Sequence, residues 1–369
     1  MCCTTFPPGP PCCHRARPGS SVSIPPPPPM RTTMTKLRRL FPLSAWRATR
    51  RFWKRTRRIW TGLFMLAAIV LLARLARDVQ WQEVWRVLRE KPNSALVESA
   101  CLVPVAYVAY SAFDLIGRTY TGHRLGRGTT MAVAFVSYAA NVNLGALVGG
   151  VGLRFRLYGK LGLRLSVISK VLAMSIFTNW LGYLWLFGAL FTLHQAPAAW
   201  HLSPAVLQVA GAAMLAVATG YLALCALSRR RHLRIGGHHV PLPTLRIAVL
   251  QSVLAVICWG AIAGILFLLF ERQVSYTLVL AALLISSIAG ALVHIPGGVG
   301  VLEAVFVAML EPDVTQAQVL GTLLAYRALY YLAPLAVALA MYAMLEVRLR
   351  RRGAGAPAPR AGKSSGAPG

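Results

Sequence analysis

Eight apolar segments dominate the chain, at 59–76, 95–117, 131–152, 166–193, 203–227, 244–270, 276–310 and 318–346. A run of about 20 such residues is long enough to cross the hydrocarbon core of a bilayer. Only 13% of the 369 residues are charged and 56% are apolar, whereas an ordinary soluble domain carries about 25% charged residues. So few charges cannot cover so much apolar surface in water. The composition predicts an all-α polytopic membrane protein, excludes a secreted disulfide scaffold and argues against a cytosolic enzyme.

Where the charges sit sets the expected topology. The net charge of +29 invites a nucleic-acid reading, but the basic residues flank apolar segments, as cytoplasmic ends facing anionic lipid do. We therefore expect membrane phospholipids as partners and no nucleic acid. Residues 1–58 hold 13 Lys/Arg and no acid, and residues 348–369 hold 6 and no acid. The first tail is Pro-rich (Pro25–Pro29) and then basic; the region 1–33 has no hydrophobic period, and Met30 or Met34 reads as an alternative start. The domains expected are thus a disordered then basic cytoplasmic tail (1–58), a membrane domain (59–346) and a basic Gly/Ala/Pro-rich cytoplasmic tail (347–369). Residues 77–93 are amphipathic and suggest a short surface helix. The 33 Arg against 6 Lys point to a GC-rich bacterial genome.

Eight simple spans starting in the cytoplasm would violate the positive-inside rule. Arg154, Arg156, Lys160 and Arg164, and Arg229, Arg230, Arg231 and Arg234, would lie outside, while 194–202, with no Lys or Arg, would lie inside. The conflict disappears if 131–152 enters from the cytoplasm and returns, and 276–310 dips in from outside. That gives six full spans plus two Gly-rich re-entrant hairpins, with both termini cytoplasmic.

Both hairpin candidates are broken by helix breakers, Gly149, Gly150 and Gly152 in the first, and Pro296, Gly297, Gly298 and Gly300 in the second. Broken backbone at membrane depth survives only against protein or water. The two also match each other. Gly145-Ala146-Leu147-Val148-Gly149-Gly150-Val151-Gly152 corresponds to Gly290-Ala291-Leu292-Val293 followed by Gly297-Gly298-Val299-Gly300, with His294-Ile295-Pro296 inserted. Three full spans lie between them, so the copies would face opposite sides. Paired broken segments in an inverted repeat point to a transporter's central site.

Ionisable groups inside apolar segments mark candidate sites, since each costs roughly 2.5–3.5 kcal/mol at a helix centre. Glu303 and Arg327 would lie in the outer half: Arg327 as a phosphate ligand, with Glu303 orienting it or meeting an amine, or the two as a structural ion pair. Arg154 and Arg156, with Tyr158 and Asp114, form the inner counterpart, or else an ordinary basic loop. An extended backbone would put Arg154, Arg156 and Tyr158 on one side, and a helix would splay them. Lys170 opens the fourth segment. His294 either titrates near neutral pH or bonds a freed carbonyl. Asn141, Asn143 and Asn179 are expected to satisfy broken backbone or neighbouring helices. No nucleophile–base signature, nucleotide loop or metal-binding spacing appears, so neither catalysis nor a cofactor or metal is expected.

Three stretches, HIPGGVGVLEAVF (His294–Phe306), GGVGLRFRLYGKLGL (Gly149–Leu163) and LLAYRALYYLAPL (Leu323–Leu335), resemble the transmembrane region of lysylphosphatidylglycerol synthases. The stand-alone YbhN-like inner-membrane proteins are the more similar branch. The resemblance covers about 59–346 and implies flippase-like movement of a charged phospholipid between leaflets of the inner membrane. The aminoacyltransferase half of the long members is not expected, as 23 residues follow Glu346. Two other roles fit the same residues: a secondary transporter of a small anion, and a non-transporting partner of a lipid-modifying enzyme.

Overall fold

The computed structural model describes residues 89–193, 203–228, 232–235, 238–293, 298–311 and 314–354, with Gln82 and Arg86. The tail, the expected first span at 59–76, most of the amphipathic segment, the loop 194–202, Arg229–Arg231, and His294, Pro296 and Gly297 lie outside the described residues.

Ten helices follow in order among them. These are α1 (Asn93–Thr121), α2 (Arg127–Leu144), α3 (Leu153–Lys160), α4 (Leu165–Leu193), α5 (Pro204–Leu227), α6 (Leu245–Leu269), α7 (Tyr276–Val293), α8 (Val301–Leu310), α9 (Gln316–Tyr326) and α10 (Ala333–Ala354). Five helical stretches are long and apolar enough to cross a membrane: α1, α4, α5, α6, and 316–348 through α9 and α10. The strands among the described residues form an antiparallel hairpin, β1 (His232–Ile235) with β2 (His238–Pro241). It lies in the basic loop, with Ile235 paired opposite His238.

α1 and α6 form the central pair. Ser99 Oγ on α1 donates to the Ile265 carbonyl on α6 at 3.3 Å, and Cys258 Sγ on α6 donates to the Ala106 carbonyl at 3.6 Å. Small residues bring α4 close to its neighbours: a Cβ on Gly182 would stand 2.8 Å from Trp259 of α6, and one on Gly211 of α5 would stand 2.7 Å from Thr192 of α4. Helices in lipid gain little from apolar burial against each other, so close backbone approach and interhelical hydrogen bonds carry much of this association.

Neither 131–152 nor 276–310 forms a continuous helix. α2 stops at Leu144, Gly145 takes φ 84°, and a π-helical turn (Ala146–Gly152) leads back into α3. The return leg lies hard against the outgoing one, since a Cβ on Gly149 would fall 2.2 Å from the Ala140 carbonyl carbon. In the second break α7 packs on α8. Gly298 and Gly300 adopt φ 59° and 83°, values that favour glycine. A helix–hairpin–helix order therefore occurs twice. α6 starts 152 residues after α1, and α9 starts 151 residues after α4.

The last apolar segment is interrupted too. Between α9 and α10 the backbone forms a π turn over Arg327–Leu332, a distortion that frees carbonyls from the regular ladder and recurs at functional sites.

Candidate functional site

A cavity of about 540 Å³ opens where the two Gly-rich breaks meet. Asn141, Gly145, Ala146, Leu147 and Val148 of the first hairpin line it, facing Leu283, Ser286, Ser287, Gly290, Ala291 and Gly298 of the second. Asn179 and Tyr183 of α4, Trp259 of α6 and Tyr326, Tyr330 and Tyr331 complete the wall. Among the described residues, no acidic or basic side chain lines it. Its polar side chains are the amides of Asn141 and Asn179, the hydroxyls of serines and tyrosines, and the Trp259 indole.

Tyrosines hold this centre together. Tyr138 and Tyr330 share a hydrogen bond at 2.7 Å, and Tyr110 stacks on Tyr138 with ring centroids 3.6 Å apart. The π turn's carbonyls find partners on other helices. Tyr107 Oη donates to the Tyr330 carbonyl at 3.0 Å, and Asn143 Nδ2 donates to the Tyr331 carbonyl at 3.2 Å. Asn143 thus plays the role expected of it, satisfying irregular backbone from a neighbouring helix.

The predicted charges flank the cavity rather than line it. On one side α1 and α3 bury an ion pair. Arg154 Nε and Nη2 each donate to an Asp114 oxygen at 3.1 Å, Nη1 donates to the Gly150 carbonyl at 3.2 Å, and Nη2 reaches Ser175 Oγ at 3.4 Å. Tyr158 Oη adds a 2.8 Å bond to Asp114. Asp114 is fully buried and Arg154 is 2% exposed. On the other side Arg327 Nε donates to Glu303 Oε1 at 2.9 Å, and Glu303 Oε2 accepts the Gly300 backbone N–H at 2.8 Å. That second bond caps α8, where a carboxylate also meets the favourable end of the helix dipole.

Each arginine lies behind a tyrosine of the cavity wall. The Arg154 guanidinium is 5.7 Å from the Tyr110 ring centre, and that of Arg327 is 5.6 Å from the ring of Tyr331. Glu303 and Arg327 open instead onto a second cavity of about 720 Å³, shared with Arg86, Glu90, Lys91 and Glu271.

The expected inner trio is divided. Because α3 is helical, Arg154 and Tyr158, four residues apart, share the face toward Asp114. Arg156 points elsewhere, its guanidinium 5.7 Å from the Tyr342 ring of α10. Lys160, a turn further, pairs with Glu346 at 2.6 Å. Lys170 is exposed on α4 and joins neither cluster. His123, in the loop after α1, is buried beside Tyr158, with ring centres 6.3 Å apart. Burial holds its imidazole below the usual 6.5, Arg118 adds to the lowering, and Asp114 opposes it.

Sequence reasoning missed Ser286, Ser287, Tyr183 and Trp259. The one signal was polar side chains within an otherwise apolar run, and that signal does not say which face they occupy.

The model for the lysylphosphatidylglycerol synthase transmembrane region matches residues 59–338. The chain belongs to this family. Inner membrane protein YbhN of Escherichia coli is 42% identical over 294 residues, covering 79% of this chain and 92% of that protein. The uncharacterized protein slr0712 of a Synechocystis species is 30% identical over 280 residues, covering 74% and 87%. With its long apolar helices, the chain is an integral membrane protein of the YbhN-like kind. The matched region contains both hairpins, the cavity and both arginine pairs.

Proposed function

We propose that this protein moves a phospholipid with a charged headgroup between the leaflets of the bacterial inner membrane, without enzymatic activity of its own. In this reading 59–76 adds a sixth span, the two glycine-broken hairpins are re-entrant from opposite sides, and the two halves form an inverted repeat. The observation that carries it is the meeting of both hairpins around one cavity of about 540 Å³. Irregular backbone there supplies hydrogen-bonding groups at membrane depth. The Glu303–Arg327 pair opens onto the second cavity, so a headgroup meets charge there and neutral hydroxyls and amides in the central cavity, while the buried Asp114–Arg154 pair stands behind the wall and holds the first hairpin in place. A site of this kind admits a polar group without trapping it. The acyl chains stay in the bilayer.

Purified protein in liposomes, with acyl-labelled phospholipid and dithionite quenching, tests this. The inner-leaflet signal should become quenchable, and Ala291→Trp, which fills an exposed position of the cavity wall, should block it. Protection equal to that of empty liposomes refutes the proposal.

A further inference from the structure

The cavity in front of Glu303 and Arg327, about 720 Å³, has a balanced charge pattern. Among the described residues its walls carry three cations, Arg86, Lys91 and Arg327, and three anions, Glu90, Glu271 and Glu303. They are arranged as couples: Arg327–Glu303 at 2.8 Å and Lys91–Glu271 at 3.0 Å, with the exposed Arg86–Glu90 at 4.0 Å. The Glu271 couple is held by unusual backbone. Glu271 and Arg272 are consecutive non-glycine residues at φ 56° and 61°, a conformation that such residues rarely adopt. This turn directs Glu271 to Lys91 and Arg272 to Glu98.

We propose that this vestibule binds a zwitterionic phosphate–ammonium headgroup of the phosphoethanolamine type. The inference rests on the lipid-translocation reading for its choice of a lipid-borne ligand. Its physical basis is partner exchange. The phosphate takes the Arg327 guanidinium, and the ammonium takes the Glu303 carboxylate that this releases. Glu303 stays in place through the exchange because Gly300 N–H holds its other oxygen. No ion loses its partner. A headgroup carrying only negative charge would take Arg327 and leave Glu303 alone, and a purely cationic one would do the reverse. Both charges are largely withdrawn from solvent, with side-chain exposures of 19% and 23%, where an unpartnered ion is unfavourable.

The test compares acyl-labelled phosphatidylethanolamine, phosphatidylglycerol and a cationic ethyl-phosphocholine lipid in proteoliposomes of the full chain. Phosphatidylethanolamine should move about tenfold faster than either of the others, the ratio set by roughly one unfavourable charge contact. Equal or faster movement of phosphatidylglycerol overturns the inference. Glu271→Gln leaves the wall with a net positive charge and should shift the ratio toward phosphatidylglycerol; an unchanged ratio counts against the charge-balance argument. If no lipid moves, the translocation reading fails, and binding decides the headgroup separately. In detergent, dihexanoyl phosphatidylethanolamine should raise the melting temperature and dihexanoyl phosphatidylglycerol should not. Equal or reversed effects overturn the site. Stabilisation by soluble phosphoethanolamine equal to that by the lipid would reassign the ligand to the free zwitterion.

Discussion

Arg154 grips Asp114 through two parallel hydrogen bonds of 3.1 Å, 40 residues apart in the chain and with almost no access to solvent. The same guanidinium also bonds the Gly150 carbonyl, so the pair ties α1 to the turn of the first hairpin. Removing one partner leaves a buried charge uncompensated, which costs about 3–5 kcal/mol. Asp114→Asn and Arg154→Ala should each lower expression and thermal stability sharply. The double variant Asp114→Leu/Arg154→Met should recover much of the loss, because an apolar pair of similar volume often replaces a buried ion pair without penalty. Melting curves of the three variants in one detergent decide this.

Arg327 and Glu303 should behave differently, since both open onto the charged vestibule. Arg327→Ala is expected to abolish lipid movement with near-normal expression. Arg327→Lys should rescue little if the guanidinium holds phosphate through two bonds. Glu303→Gln should impair movement less, because the amide oxygen can still accept the Gly300 N–H that caps α8. Quenching assays run beside melting curves separate the roles. Normal movement by an Arg327→Ala protein that melts much earlier would make the pair structural.

The first hairpin depends on the missing side chain at Gly149. Gly149→Ala would place a Cβ 2.2 Å from the Ala140 carbonyl carbon and oxygen, both backbone atoms that cannot move aside cheaply. We expect a loss of at least about 1–3 kcal/mol and poor assembly. Gly159→Ala is the control: it lies in α3 with nothing within 4 Å of the new atom. It should be neutral or stabilising by about 0.5–1 kcal/mol.

His123 predicts an acid-sensitive fold. Among the described residues neither of its two buried ring nitrogens has a hydrogen-bond partner, and its folded pKa lies below the usual 6.5. As pH falls below 6.5, the unfolded chain takes up the proton more readily than the folded one, so stability falls. His123→Phe should flatten the melting temperature between pH 7 and about 5. A profile as steep as that of the parent protein would assign the acid sensitivity to other groups.

The side of the membrane is testable by single-cysteine labelling in a background without the native cysteines. Arg164→Cys, at an exposed position between α3 and α4, should resist an impermeant reagent added from outside, while Ala198→Cys should react. The opposite pattern would restore eight simple spans.

The sequence by itself determined the class of protein and the places where its helices break. Apolar run length, the basic loops and the glycine runs at 145–152 and 297–300 are local properties, and membrane insertion and helix breaking respond to local properties. The pairing of Glu303 with Arg327 was also legible, because two charges in apolar surroundings have few alternatives to each other. Tertiary structure decided the rest. Whether Arg154 faces Asp114 or lies beside Arg156 depended on α3 being helical, which a glycine-flanked stretch of eight residues does not announce. The central wall joins Tyr138 to Tyr330, 192 residues apart, and recruits Trp259 from a segment that reads as a plain span and Ser286 and Ser287 from the apolar leg of the second hairpin. In α6 and α7, apolar residues lie on every face, so no periodicity shows which side turns inward. Only the packing of one helix on another makes that choice.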